Sequence, residues 1–259
     1  MSTVAIIPAR MGSTRFPDKP MKKIHGIPMI GHVFYRTRMA KNIDLVCVAT
    51  CDKVIYDYIE SIGGIAIMTS DTHDRASDRT AEALLKIEEK EGKQFDYVAM
   101  IQGDEPLVQP DKLEKALNEL SNNNELNIVN LMGVIDNEDT FSDVNEVKVV
   151  VDLNGCALYF SREPIPSGWH GIKDLPMKKQ LGLIFFRRNY LLRFNELAQT
   201  PLEIIESIDM LRVLENGDSI KMVEVDGQTI GVDTKEDFEV AEQLLRNDSL
   251  MSEYHLESK

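Results

Sequence analysis

Three cations, Arg10, Arg15 and Lys19, fall within ten residues, and small hydroxyl residues, Ser13 and Thr14, stand between them. Guanidinium and ammonium groups at that density suit a polyanion such as a triphosphate, because each phosphate oxygen can accept a charge-assisted hydrogen bond. The spacing is neither G-x-x-x-x-G-K-[ST] nor G-x-G-x-x-G, so neither familiar phosphate loop is present. A solvated basic loop would have the same composition. Two carboxylates stand out by position. Asp104 lies in Gln102-Gly103-Asp104-Glu105-Pro106, just after an apolar run, and Asp233 lies in Gly231-Val232-Asp233-Thr234 after another. Two carboxylates at adjacent strand ends can hold Mg²⁺ through oxygen while a nucleotide phosphate completes the octahedron. Either Asp could instead cap the helix that follows it.

The elements around these residues set where they stand. Val4 to Ile7 reads as a short, fully apolar strand that opens into the cationic loop. In an open parallel sheet such a loop sits at the carboxyl edge, where ligands bind. Pro28 to Lys41 has the Ile30, Val33, Phe34, Thr37 stripe of a helix, and Pro28 suits its first turn. Asp44 to Thr50 is a strand, Val54 to Ile62 a helix closed by Gly63-Gly64, and Ile65 to Thr69 a third strand. The alternation predicts right-handed βαβ units and a doubly wound, mainly parallel α/β sheet. A helix from about Arg79 to Lys90 follows, with Ser77 or Asp78 as its cap. Then come a strand at Tyr97 to Ile101, a helix at Asp111 to Leu120 and a strand at Ile128 to Ile135.

Beyond that point the pattern changes. Val147 to Val151 and Ala157 to Phe160 predict an antiparallel hairpin joined at Asn154-Gly155. Residues 164–179 form a long loop rich in Pro and Gly with the only Trp, Trp169, and loops of that length are usually functional. Leu181 to Arg187 is an apolar strand. Helices fit Arg188 to Ala198 and Leu202 to Glu215. Short strands fit Ile220 to Val225 and Ile230 to Val232, and Lys235 to Leu245 is the last helix. The polar tail from Asn247 reads as frayed.

Composition bounds the partners. The net charge of −14 repels nucleic acid and anionic membranes, so phosphate binding needs a local patch that works against the global field. No run is long enough to span a bilayer. The chain reaches Val4 without a basic stretch or an apolar run of signal length. Its three cysteines, Cys47, Cys51 and Cys156, are odd in number and lack C-x-x-C spacing, which fits a reducing compartment. A cytoplasmic protein is expected. At 259 residues there is chain for one large α/β domain or two small ones.

The stretch Ile7-Pro-Ala-Arg-Met-Gly-Ser-Thr-Arg-Phe-Pro-Asp-Lys19 resembles the opening motif of the sugar-acid cytidylyltransferases, most of all those acting on 3-deoxy-manno-octulosonate (Kdo). Further segments match in the same order: Val48-Ala-Thr50, Asp78-Arg79, Gln102-Gly-Asp-Glu-Pro106, Val147-Lys-Val-Val150, Ala157-Leu-Tyr-Phe-Ser-Arg162, Pro164-Ile-Pro166, Leu211-Arg-Val-Leu-Glu-Asn-Gly217 and Gly231-Val-Asp-Thr234. The resemblance implies a nucleotide-diphospho-sugar transferase-like fold in one domain over residues 1–259. A smaller mixed β/α lobe, at about 140–190, would cover the acceptor and help to form a homodimer. Arg10, Ser13, Arg15 and Lys19 would hold the triphosphate of CTP, and Ala9, Asp78, Arg79 and Gln102 the cytidine side. Asp104 and Asp233 would hold Mg²⁺. Tyr159, Ser161 and Arg162 would face a small anionic acceptor.

The chain departs from the family's usual pattern at several places. His-x-Ser-Gly-Thr-Asp/Glu-Arg is here His73-Asp-Arg-Ala-Ser-Asp-Arg79, so Arg75 adds a cation and Ala76 a Cβ. A His-Leu/Ile-Gly strand start is Gln180-Leu-Gly182, a Glu-Gln-Leu-Arg motif is Asp209-Met210-Leu211-Arg212, and an Asp-Asp pair is Cys51-Asp52. If Arg75, Gln180 and Met210 line the acceptor pocket, it carries more positive charge and fewer hydroxyl contacts. Ordinary Kdo would then be a poor substrate, and a modified octulosonate, a nonulosonate or a phosphonate a better one. Ordinary drift explains the same changes.

Overall fold

Strand β1 (Thr3–Ala9) is buried along its whole length, as an unbroken apolar run must be when helices cover both faces of a sheet. The computed structural model describes residues 1–12, 15–169, 171, 175–227 and 229–255. After β1 comes a two-strand hairpin, β2 (Lys23–Ile24) and β3 (Ile27–Pro28). Its turn residues, His25 and Gly26, both have positive φ, 47° and 91°. That is the requirement of a tight type I′ connection. Next are α1 (Met29–Arg38), β4 (Leu45–Thr50), α2 (Lys53–Ser61) and β5 (Ile65–Met68). The chain continues through α3 (Ala76–Glu91), β6 (Tyr97–Ile101), α4 (Pro110–Asn122) and β7 (Ile128–Val134). Then follow α5 (Glu138–Ser142), β8 (Lys148–Val151), β9 (Ala157–Ser161) and β10 (Lys178–Arg187). The last elements are α6 (Arg188–Glu196), α7 (Pro201–Glu206), α8 (Leu211–Glu215), β11 (Lys221–Val225), α9 (Lys235–Leu245) and α10 (Ser249–His255).

The main sheet runs β11-β7-β10-β6-β1-β4-β5, with β8 paired to β10 and β9 to β8. Neighbours are parallel except along β10, which is antiparallel to β6 and β7, and within the β8–β9 hairpin. Alternate residues of β1 point to opposite layers. Ala5 and Ile7 join the core under α1, α2 and α4, whereas Val4 and Ile6 join the core under α3, α6 and α8. The chain moves outward from β1 through β4 to β5, then returns to place β6 on the other side of β1. The carboxyl ends of β1 and β6 therefore flank the switch point, the crevice where open sheets bind ligands.

Four expectations from periodicity are corrected. The single helix over Leu202 to Glu215 is two, because Ser207 breaks it at φ 55°. Ile230 to Val232 is not a strand; it is held at the sheet edge by the Val232 N–H, which donates to the Asp104 carbonyl at 2.9 Å. Helix α3 begins earlier than expected, at Ala76 with Arg75 in the N-cap position. Neither Ser77 nor Asp78 caps it, and Ser77 Oγ instead donates to Asp209 Oδ2 at 3.1 Å.

The fourth correction is the tail. α10 is docked, and Tyr254 is buried against Tyr35, with ring centroids 5.4 Å apart. Arg36, fully buried, grips Asp248 through both terminal nitrogens at 3.0 and 3.2 Å and the Val108 carbonyl at 2.6 Å. His32 Nε2 lies 2.9 Å from the Ile24 carbonyl, which can only accept, so Nε2 carries the proton. Nδ1 then accepts from the Tyr254 hydroxyl at 2.8 Å. Burial pushes the His32 pKa down to about 4, with the Arg36 charge acting in the same direction. The unfolded chain binds this proton near pH 6.5 and the folded chain does not, so the stability is present above that pH and lost as pH falls toward 4. Between pH 7 and 4.5 the wild type should lose about 2–3 kcal/mol more than His32→Asn, read from urea midpoints. Equal losses in the two proteins would contradict this.

Candidate active site

The cationic loop leaves β1 and is pinned at three points. The Met11 N–H donates to Asp52 Oδ2 at 2.7 Å, at the start of α2. Phe16 stands edge-on to Phe238 of α9 at 5.4 Å. Asp18 takes a left-handed conformation, φ 59°, and starts a short 3-10 turn over Lys19–Met21. That turn points Lys19 inward, where it is nearly buried. Its three donors are all engaged: Asp104 Oδ2 at 3.0 Å, Asp233 Oδ1 at 3.3 Å and the Val232 carbonyl. Burial alone would lower the Lys19 pKa, but Asp104 and Asp233 outweigh it and hold the ammonium above its usual value. Arg15 reaches the other oxygen of Asp233 at 3.2 Å and also bonds Asn145. Two carboxylates 129 positions apart in the chain thus meet at one ammonium. Asp233 is not a helix cap, since Thr234 caps α9 in a capping box with Asp237.

Gly103 explains how the end of β6 comes so close to β1. A Cβ there would stand 2.9 Å from the Pro8 carbonyl, a contact that no side chain permits. Two clefts open from this point. The first, about 300 Å³, is lined by Ala9 at the end of β1, by the loop residues Arg10, Arg15 and Lys19, and by Arg79 and Gln102. Arg79 is 3% exposed, and its Nη1 bonds the Ser70 carbonyl at 3.1 Å and Thr69 Oγ1. Its Nη2 finds no partner among the described residues. The second cleft, about 430 Å³, is lined among others by Arg75, Arg162, Lys179 and Gln180.

Several expected positions fall elsewhere. Asp78 sits in the first turn of α3 and lines neither cleft. Ser13 lies outside the described residues. Tyr159 and Ser161 do not reach the second cleft. Their hydroxyls donate to Glu206 Oε1 at 3.3 and 2.8 Å, while the Arg162 N–H and Nε donate to Glu206 Oε2 and its carbonyl. The three therefore fasten the β8–β9 hairpin to the end of α7, and only Arg162 also faces the cleft. Met210 as a wall of the acceptor pocket is corrected: it is fully buried and packs in the core beneath α8. Gln180 does line the cleft, and its Nε2 donates to Asn130 Oδ1 at 2.7 Å.

The residue types also concealed some members of the site. Glu105, beside Asp104, is buried on the second cleft and accepts the Gly182 N–H at 3.0 Å. Burial, reinforced by the Asp104 charge, pushes its pKa up to about 7. Asn145 and Glu146 come from the loop before β8; Asn145 meets Arg15, and Glu146 pairs with Lys179 at 2.9 Å. Two carboxylates in succession after a buried strand were a visible signal for Glu105. Nothing in the local pattern around 145 pointed to Arg15.

The family described as Cytidylyltransferase matches residues 4–222, most of the chain. The chain belongs to the cytidylyltransferase family. It is 41% identical over 257 residues to 3-deoxy-manno-octulosonate cytidylyltransferase of Geobacter metallireducens, covering 95% of this chain and 99% of that one. The enzyme of the same name from Thermodesulfovibrio yellowstonii is 43% identical over 253 residues, covering 95% and 98%. A solved structure of CMP:2-keto-3-deoxy-manno-octonic acid synthetase complexed with CTP superposes with a TM-score of 0.87 at 34% identity, covering 95% of this chain and 99% of that chain. This cytidylyltransferase therefore has the doubly wound fold expected from its strand and helix alternation. No helix among its described residues is long and apolar enough to cross a membrane.

Proposed function

We propose that the protein transfers CMP from CTP to a 3-deoxy-octulosonate-type sugar acid, most simply Kdo itself, and releases pyrophosphate. The observation that carries this reading is the Lys19 ammonium shared by Asp104 and Asp233 at the mouth of the switch-point crevice, beneath a cationic loop. The relatives' names supply the acceptor. Met210 lies in the core, so of the three departures only Arg75 and Gln180 reach the second cleft, and Kdo is the simplest reading.

The acceptor oxygen would form its bond to the α-phosphorus of CTP as the bond to pyrophosphate breaks, so the enzyme's work is positioning and charge neutralisation. Arg10, Arg15 and Lys19 hold the β- and γ-phosphates, and the last two leave the carboxylates to do so. Asp104 and Asp233 offer hard oxygen ligands suited to Mg²⁺. An ion held by these two carboxylates would draw its remaining oxygen ligands from the nucleotide or from water. Bound there, Mg²⁺ would supply positive charge to favour ionisation of the attacking hydroxyl and to offset charge on the phosphate. Arg162 and Gln180 orient the acceptor from the second cleft. The apolar side chains Leu153, Leu158, Ile204 and Ile205, exposed on the β8–β9 hairpin and α7, support a homodimer formed through this lobe. A cytoplasmic location fits the free cysteines.

The base is read in the first cleft by Gln102 and the backbone near Ala9, with Arg79 also on its wall. A site with fixed donors and acceptors rejects the wrong pattern by leaving buried groups unpaired. In pyrophosphate release with Kdo as acceptor, kcat/KM for CTP should exceed that for UTP by at least ~10²-fold. Equal turnover of CTP and UTP would overturn this assignment.

A further inference from the structure

The two clefts share six lining residues, Arg15, Asp74, Arg75, Ala76, Gln102 and Asp104. If the nucleotide fills the first cleft and the acceptor the second, the atom joining them lies at this seam. On the reading proposed above, that atom is the α-phosphorus. Two cations stand there. Arg15 is engaged by Asp233 and Asn145. Arg75 is half-buried; its Nη1 makes two long contacts, to the carbonyl and to Oγ of Ser207, both 3.4 Å, and its charge counters the burial of the Asp209 carboxyl. It reaches from the N-terminus of α3 across to the corner between α7 and α8. The first turn of α3, sixteen residues long, has no side-chain cap and lines the seam through Arg75 and Ala76. A helix N-terminus and a weakly tethered guanidinium thus converge where a phosphate must lose its leaving group.

We propose that Arg75 is a further catalytic residue, which bonds a non-bridging oxygen of the α-phosphate and offsets the charge that grows there during transfer. The acceptor O–P bond forms and the P–O bond to pyrophosphate breaks. The bonding pair leaves on pyrophosphate, and the hydroxyl proton passes to solvent. Arg75 takes no proton and stays charged throughout, as a guanidinium does. Its contacts to Ser207 are long enough to be exchanged for a phosphate oxygen, and the buried Asp209, which the Arg75 charge favours, keeps the Ser77 hydroxyl as a donor. This places Arg75 on the nucleotide as well as beside the acceptor, and distinguishes it from a residue that only selects the acceptor.

The test uses the full chain with CTP, Mg²⁺ and Kdo. Arg75→Ala should lower kcat by roughly 10²-fold, while KM for CTP and for Kdo stays within threefold. Arg75→Lys should retain more activity than Arg75→Ala. Millimolar guanidinium should restore part of the Arg75→Ala rate, a response that a structural defect would not give. A kcat within threefold of wild type overturns the proposal, as does a rise in KM for Kdo alone, or a lost rate that guanidinium does not restore together with a lowered melting temperature. A wild-type chain that is silent toward CTP overturns the proposed function itself, and Arg75's role with it.

Discussion

Asp104→Asn is expected to lower kcat by roughly 10³-fold or more while leaving the fold intact. The substitution removes one charge at the end of β6 and keeps the side chain's shape. Asp104 is 27% exposed on its side chain, and Lys19 retains Asp233 and the Val232 carbonyl as partners. The loss of one charge-assisted bond should therefore cost only about 1–2 kcal/mol of stability. The chemical cost is far larger. An amide is a poor ligand for a hard divalent ion, and the remaining carboxylate alone supplies only half of the charge that the pair would offer it. Steady-state pyrophosphate release and a thermal melt together check this. A variant within tenfold of the wild-type kcat would show that Asp104 has no part in the chemistry.

The largest expected effect on stability lies away from the site, at Arg212 and Glu203. Both are buried, with Nε to Oε2 at 2.7 Å and Nη2 to Oε1 at 2.5 Å. Arg212 Nη1 also donates to the Phe194 and Leu197 carbonyls, and the guanidinium lies over the Phe194 ring at 4.5 Å. Glu203→Ala strands this guanidinium in the core and should cost about 3–5 kcal/mol. At roughly 2–4 °C per kcal/mol for a chain of this size, the melting temperature should fall by about 6–20 °C. Glu203→Leu combined with Arg212→Met should recover most of the loss, because no unpaired charge remains. A single variant that melts like the wild type would contradict the buried pair.

These two cases show what could be read from the residues alone. β1, β4 and β6 were legible because strands covered on both faces are written as unbroken apolar runs. Asp104 was legible because it follows such a run with a glycine between. Arg212, by contrast, lies in one of the matching segments, yet it serves the core and not the ligand. Asp233 was expected behind a strand, but a single backbone bond from Val232 to Asp104 places it at the sheet edge. No local pattern encodes such a bond. The break at Ser207 was hidden because helical periodicity runs through it, and the same break turns Met210 toward the core. The docked tail was misread because its anchors, His32, Tyr35 and Arg36, lie more than two hundred positions away.

If the carboxylates at Lys19 and the cationic loop serve cytidylyl transfer to Kdo, the reaction itself must show it. The measurement is ³¹P NMR of the purified chain with CTP, Mg²⁺ and Kdo. The CTP resonances should give way to pyrophosphate and a single phosphodiester species in equimolar amounts, and only when both Mg²⁺ and Kdo are present. CTP that stays intact with Kdo present, or is hydrolysed to CMP without forming the phosphodiester, would contradict it.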